Sequence, residues 1–426
     1  MNRVLFFVLF FIMIIIPLRS NDYSFEFIDN FLINSLSGDL ENSETEEENK
    51  NSIKLTDVQL ITLQDKFNEL NKITELSNAK LINDYEKFLE ENQKKLNVIL
   101  AFHRFETFKE KENGIKGIYV NGYDFIRDSK MDSIKNILST TVVNTLVLDV
   151  KTDNGHLMYQ STLEEALTLN NIRVKYDKEI LNQFKNEYNV YLIGRVVAFQ
   201  DPIFSKIFTD SAILDAKDDQ PYSQNEQYFL DPSDDFAKQY ILNIALEACE
   251  LGFDEIQFDY IRYPDTNYND LIFDQESTTE SRVQNINYFL KTATLEINQK
   301  GCLVSADIFG IAINVKNDSG IGQYLETLTE QVNFISPMVY PSHYSSGSFG
   351  YKNPNDFPYE VITASLKQGL SRGVPEAKLR PFLQAFWHTN EEIRLNIKAS
   401  EDLGLDWLLW NNSSRYDAEI FSKLNS

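Results

Sequence analysis

The chain has 426 residues, 42% of them hydrophobic, with 30 Phe and 21 Tyr but only 16 Gly and 11 Pro. That composition supports a large globular core and excludes collagen-like and linker-rich architectures. A formal charge of −24 and a pI near 4.6 exclude nucleic acid as a partner, because phosphate backbones require Lys and Arg clusters that are missing here.

The N-terminus reads Met-Asn-Arg, then thirteen apolar residues from Val4 to Ile16, then Pro17-Leu18-Arg19-Ser20. A membrane-spanning helix needs roughly 20 apolar residues, so residues 1–20 read as a signal peptide that exports the protein to an extracellular or periplasmic location. Leu18 and Ser20 fit a small-x-small cleavage site poorly, which keeps an uncleaved membrane tether as the alternative. Residues 21–54 include Glu41-Asn-Ser-Glu44-Thr-Glu46-Glu47-Glu48, a run too charged and too poor in apolar side chains to fold, and read as an acidic flexible tether. Over 55–112 a helical extension is expected. Leu60, Leu63, Phe67, Leu70, Ile73 and Leu76, then Leu81, Tyr85 and Phe88, recur at three- and four-residue steps up to about residue 95. The apolar stripe is expected to pack on the domain that follows or on itself, with a partner-binding coiled coil as the alternative.

Residues 113–426 change period. Short β-rich runs occur at 116–120, 145–151, 190–199, 255–263, 303–309, 332–340, 379–386 and 405–410, each separated from the next by enough chain for a crossover helix. Eight such alternations predict an α/β fold, the (β/α)8 TIM barrel. The most legible unit is Asp231-Pro232-Ser233 as helix cap, a periodic stretch over 236–250, Gly252 as the stop, and a strand from Glu255. Cys249 and Cys302 are the only cysteines and read as two buried thiols rather than a disulfide. The four scattered His offer no zinc-type spacing, so neither metal nor cofactor is expected.

Barrel active sites lie at the C-terminal ends of the strands, and side-chain alternation says which residues face the axis there. In Ile256-Gln257-Phe258-Asp259, the apolar residues need the helix layer, which turns Gln257 and Asp259 inward; Val304-Ser305-Ala306-Asp307 turns Ser305 and Asp307 inward on the next strand. By the same parity Asp149 and Lys151 on strand two and Arg195 on strand three belong to the mouth. A charged cluster there must pair internally or with ligand. Two carboxyl groups in unlike surroundings suit glycosidic hydrolysis: Asp259, beside Arg195 and Arg262, as nucleophile or base, and Asp307, among apolar neighbours, as acid, with the assignment reversible. Tyr119, Tyr123, Phe199, Tyr260, Tyr263, Phe309, Tyr340, Tyr344, Phe386, Trp387 and Trp410 lie near the strand ends, where aromatic rings stack on sugars. The expected substrate-binding set is Asp149, Lys151, Arg195, Arg262, Tyr119, Tyr340, His343, Gln384, Trp387 and Trp410.

Several runs together carry a family resemblance: Gly117-Ile-Tyr-Val-Asn-Gly122, Leu148-Asp149-Val-Lys151-Thr-Asp153-Asn-Gly155, Gly194-Arg195-Val-Val-Ala-Phe199-Gln-Asp201-Pro202, Gly252-Phe-Asp254-Glu-Ile-Gln257-Phe-Asp259-Tyr-Ile-Arg262-Tyr-Pro264, Ser305-Ala-Asp307-Ile-Phe-Gly310 and Ile335-Ser-Pro337-Met-Val-Tyr340-Pro-Ser-His343-Tyr344. From about residue 115 to 416 the chain resembles a glycoside-hydrolase-like β/α-barrel family long known as a bacterial domain of unknown function. The resemblance implies a barrel of the glycosidase superfamily, generally in exported bacterial proteins. A weaker likeness is to alpha-amylase-type barrels, in which an Asp ending strand four is the nucleophile, matching Asp259, and a Glu after strand five is the acid. This chain departs there by carrying Asp307. The expected activity is glycoside hydrolysis on an extracellular or envelope polysaccharide, with Asp259 and Asp307 as the pair. The alternative is a catalytically silent carbohydrate-binding barrel in an envelope assembly, and the sequence carries no signal of oligomeric state.

Overall fold

The computed structural model describes residues 79–125 and 128–421. The leader, the acidic stretch and the first half of the predicted helical extension lie outside the described residues. Eight parallel strands close a barrel: β1 (Lys116–Val120), β2 (Thr145–Lys151), β3 (Tyr191–Val197), β4 (Glu255–Asp259), β5 (Leu303–Phe309), β6 (Phe334–Val339), β7 (Phe382–Gln384) and β8 (Trp407–Trp410), each hydrogen-bonded to its neighbours in sequence and β8 to β1. Between them run the helices α2 (Asp128–Thr140), α3 (Lys178–Tyr188), α4 (Asp235–Leu251), α5 (Thr279–Lys300), α6 (Leu325–Gln331), α7 (Pro358–Ser371) and α8 (Asn390–Glu401), which follow α1 (Ala79–Glu112). The (β/α)8 TIM barrel with an N-terminal helix is therefore the fold. Among the described residues no helix is long and apolar enough to cross a membrane.

The strands form where β-branched and aromatic residues meet the two buried faces of a parallel sheet, and β2 and β3 are buried at every position. Outward residues such as Ile256, Phe258, Val304 and Ala306 join the layer between barrel and helices. Inward residues form a second cluster along the axis, including Tyr119, Val147, Ile193 and Leu408. The helix ahead of β4 begins later than expected: Asp234, not the Asp231–Ser233 turn, caps it by accepting from the Ala237 N–H, and Gly252 ends it in a left-handed conformation at φ 110°. Asp231 instead accepts from the Ser233 N–H and hydroxyl and shapes the approach.

The last turns of α1 close the lower end of the barrel. Its Phe105 lies against the rings of Tyr191 and Phe334, at the starts of β3 and β6, with centroids 5.6 and 4.7 Å apart. Lys109 pairs with Asp406 at 2.7 Å, and Arg104 donates to the carbonyl of Gly301 at 2.6 Å. The C-terminal turns of α1 thus pack on the barrel, while the apolar positions from Leu60 to Tyr85 lie outside the described side chains.

One expectation fails outright. Cys249, near the end of α4, and Cys302, just before β5, are joined in a disulfide with Cα atoms 5.9 Å apart, and the described residues contain no free cysteine. Their elements are adjacent because α4 and α5 flank β4, a proximity that a sequence separation of 53 does not reveal.

Candidate active site

At the C-terminal mouth, Arg195 on β3 is the hub. Its Nη1 donates to Asp149 Oδ1 at 2.7 Å; Nε and Nη2 donate to Asp259 Oδ2 at 2.9 and 2.6 Å; and Nη2 also donates to Asp153 Oδ1 at 2.7 Å. Burial alone would disfavour the guanidinium charge, but Asp153, Asp259 and Asp149 together push its pKa well above the ordinary Arg value. The fork of Arg suits this task, since a Lys has neither the planar spread nor the donor count.

Asp149 is buried, and burial raises its pKa against the pull of Arg195. Its second oxygen accepts from Tyr119 Oη at 2.7 Å and from the N–H of Gly122 at 3.1 Å. Gly122 is required for that approach, because a Cβ there would sit 2.6 Å from Met158 Cγ. Tyr119 in turn stacks on Trp410 with centroids 3.9 Å apart, and the guanidinium of Arg195 lies 4.8 Å from the Trp410 ring. Tyr119, Asp149, Arg195 and Trp410 are thus one assembly, joined from β1, β2, β3 and β8.

Asp259 ends β4 facing this assembly. Oδ2 is held by Arg195 and Oδ1 accepts from the N–H of Tyr260 at 2.7 Å, which fixes the carboxylate in direction. Tyr260 sits in the left-handed region at φ 49°, so β4 stops four residues short of its expected end. A non-glycine residue there costs about 1–2 kcal/mol, and such strain collects at functional sites. Trp387, after β7, has the same conformation at φ 58° and is 83% exposed, and Phe349, in the loop after β6, has it at φ 54°.

Asp307 on β5 is buried at 1% exposure, and its Oδ1 has no hydrogen-bond partner. Burial first, and then the charge of Asp259, raise its pKa well above the ordinary Asp value, against Arg195 and Arg380, which lower it. The two carboxyl groups on β4 and β5 therefore face each other electrostatically and differ in kind: one tied to a cation, the other without one.

Other expected site residues are placed differently. Lys151 does not reach the mouth: an irregularity in the β2–β3 register between Asp149 and Lys151 breaks the alternation, and Lys151 Nζ is sealed against Asp201 at 3.0 Å and the carbonyls of Val197 and Gln200. Arg262 forms no ion pair with Asp259; it donates to the carbonyl of Tyr263 and is sandwiched among the rings of Phe229, Tyr260 and Phe309. Gln384 is a brace, accepting from the N–H and hydroxyl of Ser342 and donating to the carbonyl of Phe386. Tyr340 is buried, with rings of His343 and Phe386 each 5.3 Å away, while His343 is exposed. Tyr123 reaches His156 Nδ1 at 2.5 Å. Phe199, Tyr263 and Tyr344 belong to the packing behind the strands, against Phe289, Asn285 and Ser365.

Asp153 and the buried pair Glu255 and Arg380 are absent from the expected set. Asp153 was signalled by its place two residues after Lys151 in a polar loop; its side chain is 42% exposed at the mouth while bound to Arg195. Among the described residues no group of three or more His, Cys, Asp or Glu side chains is arranged to hold a metal ion.

Residues 117–416 match a family described as "Putative glycosyl hydrolase domain". Among solved structures, the glycoside hydrolase domain of PgaB (BpsB) from Bordetella bronchiseptica aligns at TM-score 0.54 and 13% identity, covering 73% of this chain and 99% of that one. A hypothetical protein from Ruminiclostridium thermocellum ATCC 27405 is 29% identical over 45% of this chain and 96% of its own, at TM-score 0.40. The glycoside hydrolase domain of PelA from Pseudomonas aeruginosa is 11% identical over 71% and 96%, at TM-score 0.42. No curated protein sequence matches the chain.

Proposed function

The chain belongs to the glycosyl hydrolase domain family that its residues 117–416 match, and from that premise we propose that it hydrolyses O-glycosidic bonds of an extracellular or cell-envelope polysaccharide, using Asp259 and Asp307. The observation that carries this reading is the pairing of a cation-bound carboxylate with a buried, uncompensated carboxyl group on neighbouring strand ends. Such a difference divides the labour of glycoside hydrolysis. Asp307 gives its proton to the leaving glycosidic oxygen as the C–O bond breaks. Asp259 attacks the anomeric carbon or takes a proton from the water that does. One water is consumed, its hydroxyl ending on the sugar and its proton returning to Asp307, directly when Asp259 is the nucleophile and from Asp259 by way of solvent when it is the base.

Arg195 and Asp149 hold Asp259 and the Tyr119–Trp410 stack in place, and Trp410, Phe386 and the exposed Trp387 offer faces for sugar rings. Trp387 is the outermost: a large apolar ring held in strained backbone and left open to solvent is explained by a ligand that covers it. Export belongs to the same reading. Support comes from the apolar leader at residues 4–16, which serves as a signal peptide or as a membrane tether, and from the Cys249–Cys302 bridge, of a kind that persists in oxidising compartments.

The test is release of reducing ends from a panel of envelope and extracellular polysaccharides by the wild type and by Asp259→Asn, Asp307→Asn and Asp153→Asn. The reading requires product from the wild type and loss of it in the first two variants. Loss in Asp153→Asn with Asp307→Asn still active transfers the acid role to Asp153, the most open carboxyl of the cluster. Binding without product in the wild type supports a silent carbohydrate-binding barrel.

A further inference from the structure

Beneath the mouth, the barrel axis holds a second set of charges that the proposed chemistry does not touch. Glu255, at the start of β4, and Arg380, just ahead of β7, are both fully enclosed and paired through Nη2 and Oε1. Glu255 Oε1 also accepts from Ser305 Oγ at 2.5 Å, and Oε2 from Tyr191 Oη at 3.3 Å. Ser305 lies two residues before Asp307 on the same face of β5, so this pair is the floor on which Asp307 stands. Arg380 Nε and Nη1 have no partner, and neither has Asp307 Oδ1.

A count of charges makes the arrangement specific. Asp149, Asp153, Asp259, Asp307 and Glu255 are five carboxyl groups of which two guanidinium groups pair with four, since Lys151 is sealed against Asp201 and Arg262 lies among rings without an ion pair. Arg195 takes three of them. Arg380 is bound to Glu255 and acts on Asp307 only through its charge.

We infer that Glu255 is a positioning residue that keeps Asp307 in its proton-bearing form: by holding Arg380 at the floor, it keeps that guanidinium from pairing with Asp307. The groups that act on Asp307 agree with this. Beyond burial, Asp259 and Glu255 favour its neutral form, while Arg195, committed to three other carboxylates, and Arg380, committed to Glu255, oppose it. Tyr340, which faces the same carboxyl groups, is itself buried, its pKa raised by burial, Asp307 and Asp259.

The inference rests on Asp307 being the acid of the proposed reaction, but its test needs no substrate. Protonated buried carboxylic acids have a separate carbonyl stretch, so infrared difference spectra of the full chain against Asp307→Asn, taken across pH, titrate Asp307 alone. Glu255→Gln removes the competing charge and leaves Arg380 free. The expected result is a titration midpoint lower by about one pH unit or more, a tenfold or greater loss of proton affinity. The double variant Glu255→Gln/Arg380→Met removes both charges and returns the midpoint to within a few tenths of a unit of the wild type. A purely structural role for Glu255 gives no such restoration. An unchanged or raised midpoint in Glu255→Gln overturns the inference; if that variant does not fold, a double variant whose midpoint lies well below the wild type's does so. A chain that titrates as expected yet hydrolyses no glycoside refutes the function and leaves the charge relation standing.

Discussion

Arg195→Leu is the sharpest perturbation of the mouth, because one substitution orphans three carboxylates. Asp153 is 42% exposed at its side chain, so its lost pair amounts to about 0–1 kcal/mol. Asp149 and Asp259 are enclosed, at 1% and 5% exposure, and each loses its counter-ion, while Asp149 keeps the Tyr119 and Gly122 donors and Asp259 the Tyr260 N–H. The most that each can cost is the uptake of a proton. For an Asp of ordinary pKa near 3.9, that costs about 1.36 kcal/mol per pH unit above it, or roughly 4 kcal/mol at pH 7 and roughly 1.5 at pH 5. The two together set a ceiling of about 8 kcal/mol at pH 7 and about 3 at pH 5, so the penalty must shrink on acidification. Guanidinium unfolding of the wild type and Arg195→Leu at both pH values reads the difference directly. Arg195→Lys, which retains the charge without the fork, should fall between. A penalty that is equal at the two pH values, or below about 1 kcal/mol at pH 7, refutes the hub.

Three further outcomes follow from the same geometry. Replacing both Cys249 and Cys302 by Ala reopens a loop of 53 residues and should cost about 4 kcal/mol in the chain-entropy account, seen as a lower denaturation midpoint that matches reduced wild type. Asp307 has a folded pKa above its unfolded one, so its contribution to stability is complete below the ordinary Asp range and is lost as pH rises through the folded value. Asp307→Asn should therefore gain melting temperature relative to wild type as pH rises through that window, and a constant difference across the pH range contradicts it. Trp387→Ala should weaken binding of long oligosaccharides about tenfold, or 1.4 kcal/mol, while leaving short substrates and the unfolding midpoint nearly unchanged; calorimetric titration with a chain-length series decides it.

What the sequence made legible tracks how locally each feature is determined. Strict alternation put Asp259 and Asp307 inside on adjacent strands, because their outward neighbours Phe258 and Ile308 had only the helix layer to enter. Alternation failed at Lys151 because a register irregularity is a tertiary event with no residue signature. Glu255 escaped notice for a related reason: it begins its strand, where an acidic residue reads as solvated, and only the closure of the barrel brings Arg380 across to it. Arg262 was expected beside Asp259 from three-residue proximity, but the left-handed turn at Tyr260 redirects the chain and buries the guanidinium among rings instead. Gln384 and the cysteine pair likewise depend on partners that packing alone supplies.

Asp259 is proposed to react rather than merely to close the barrel. That proposal is tested most directly by kcat/KM of Asp259→Asn on the best polysaccharide substrate, measured beside the variant's affinity for the same saccharide. The expected result is a loss on the order of 10³-fold or more in turnover with affinity held within a few-fold. A variant that turns over at the wild-type rate contradicts it.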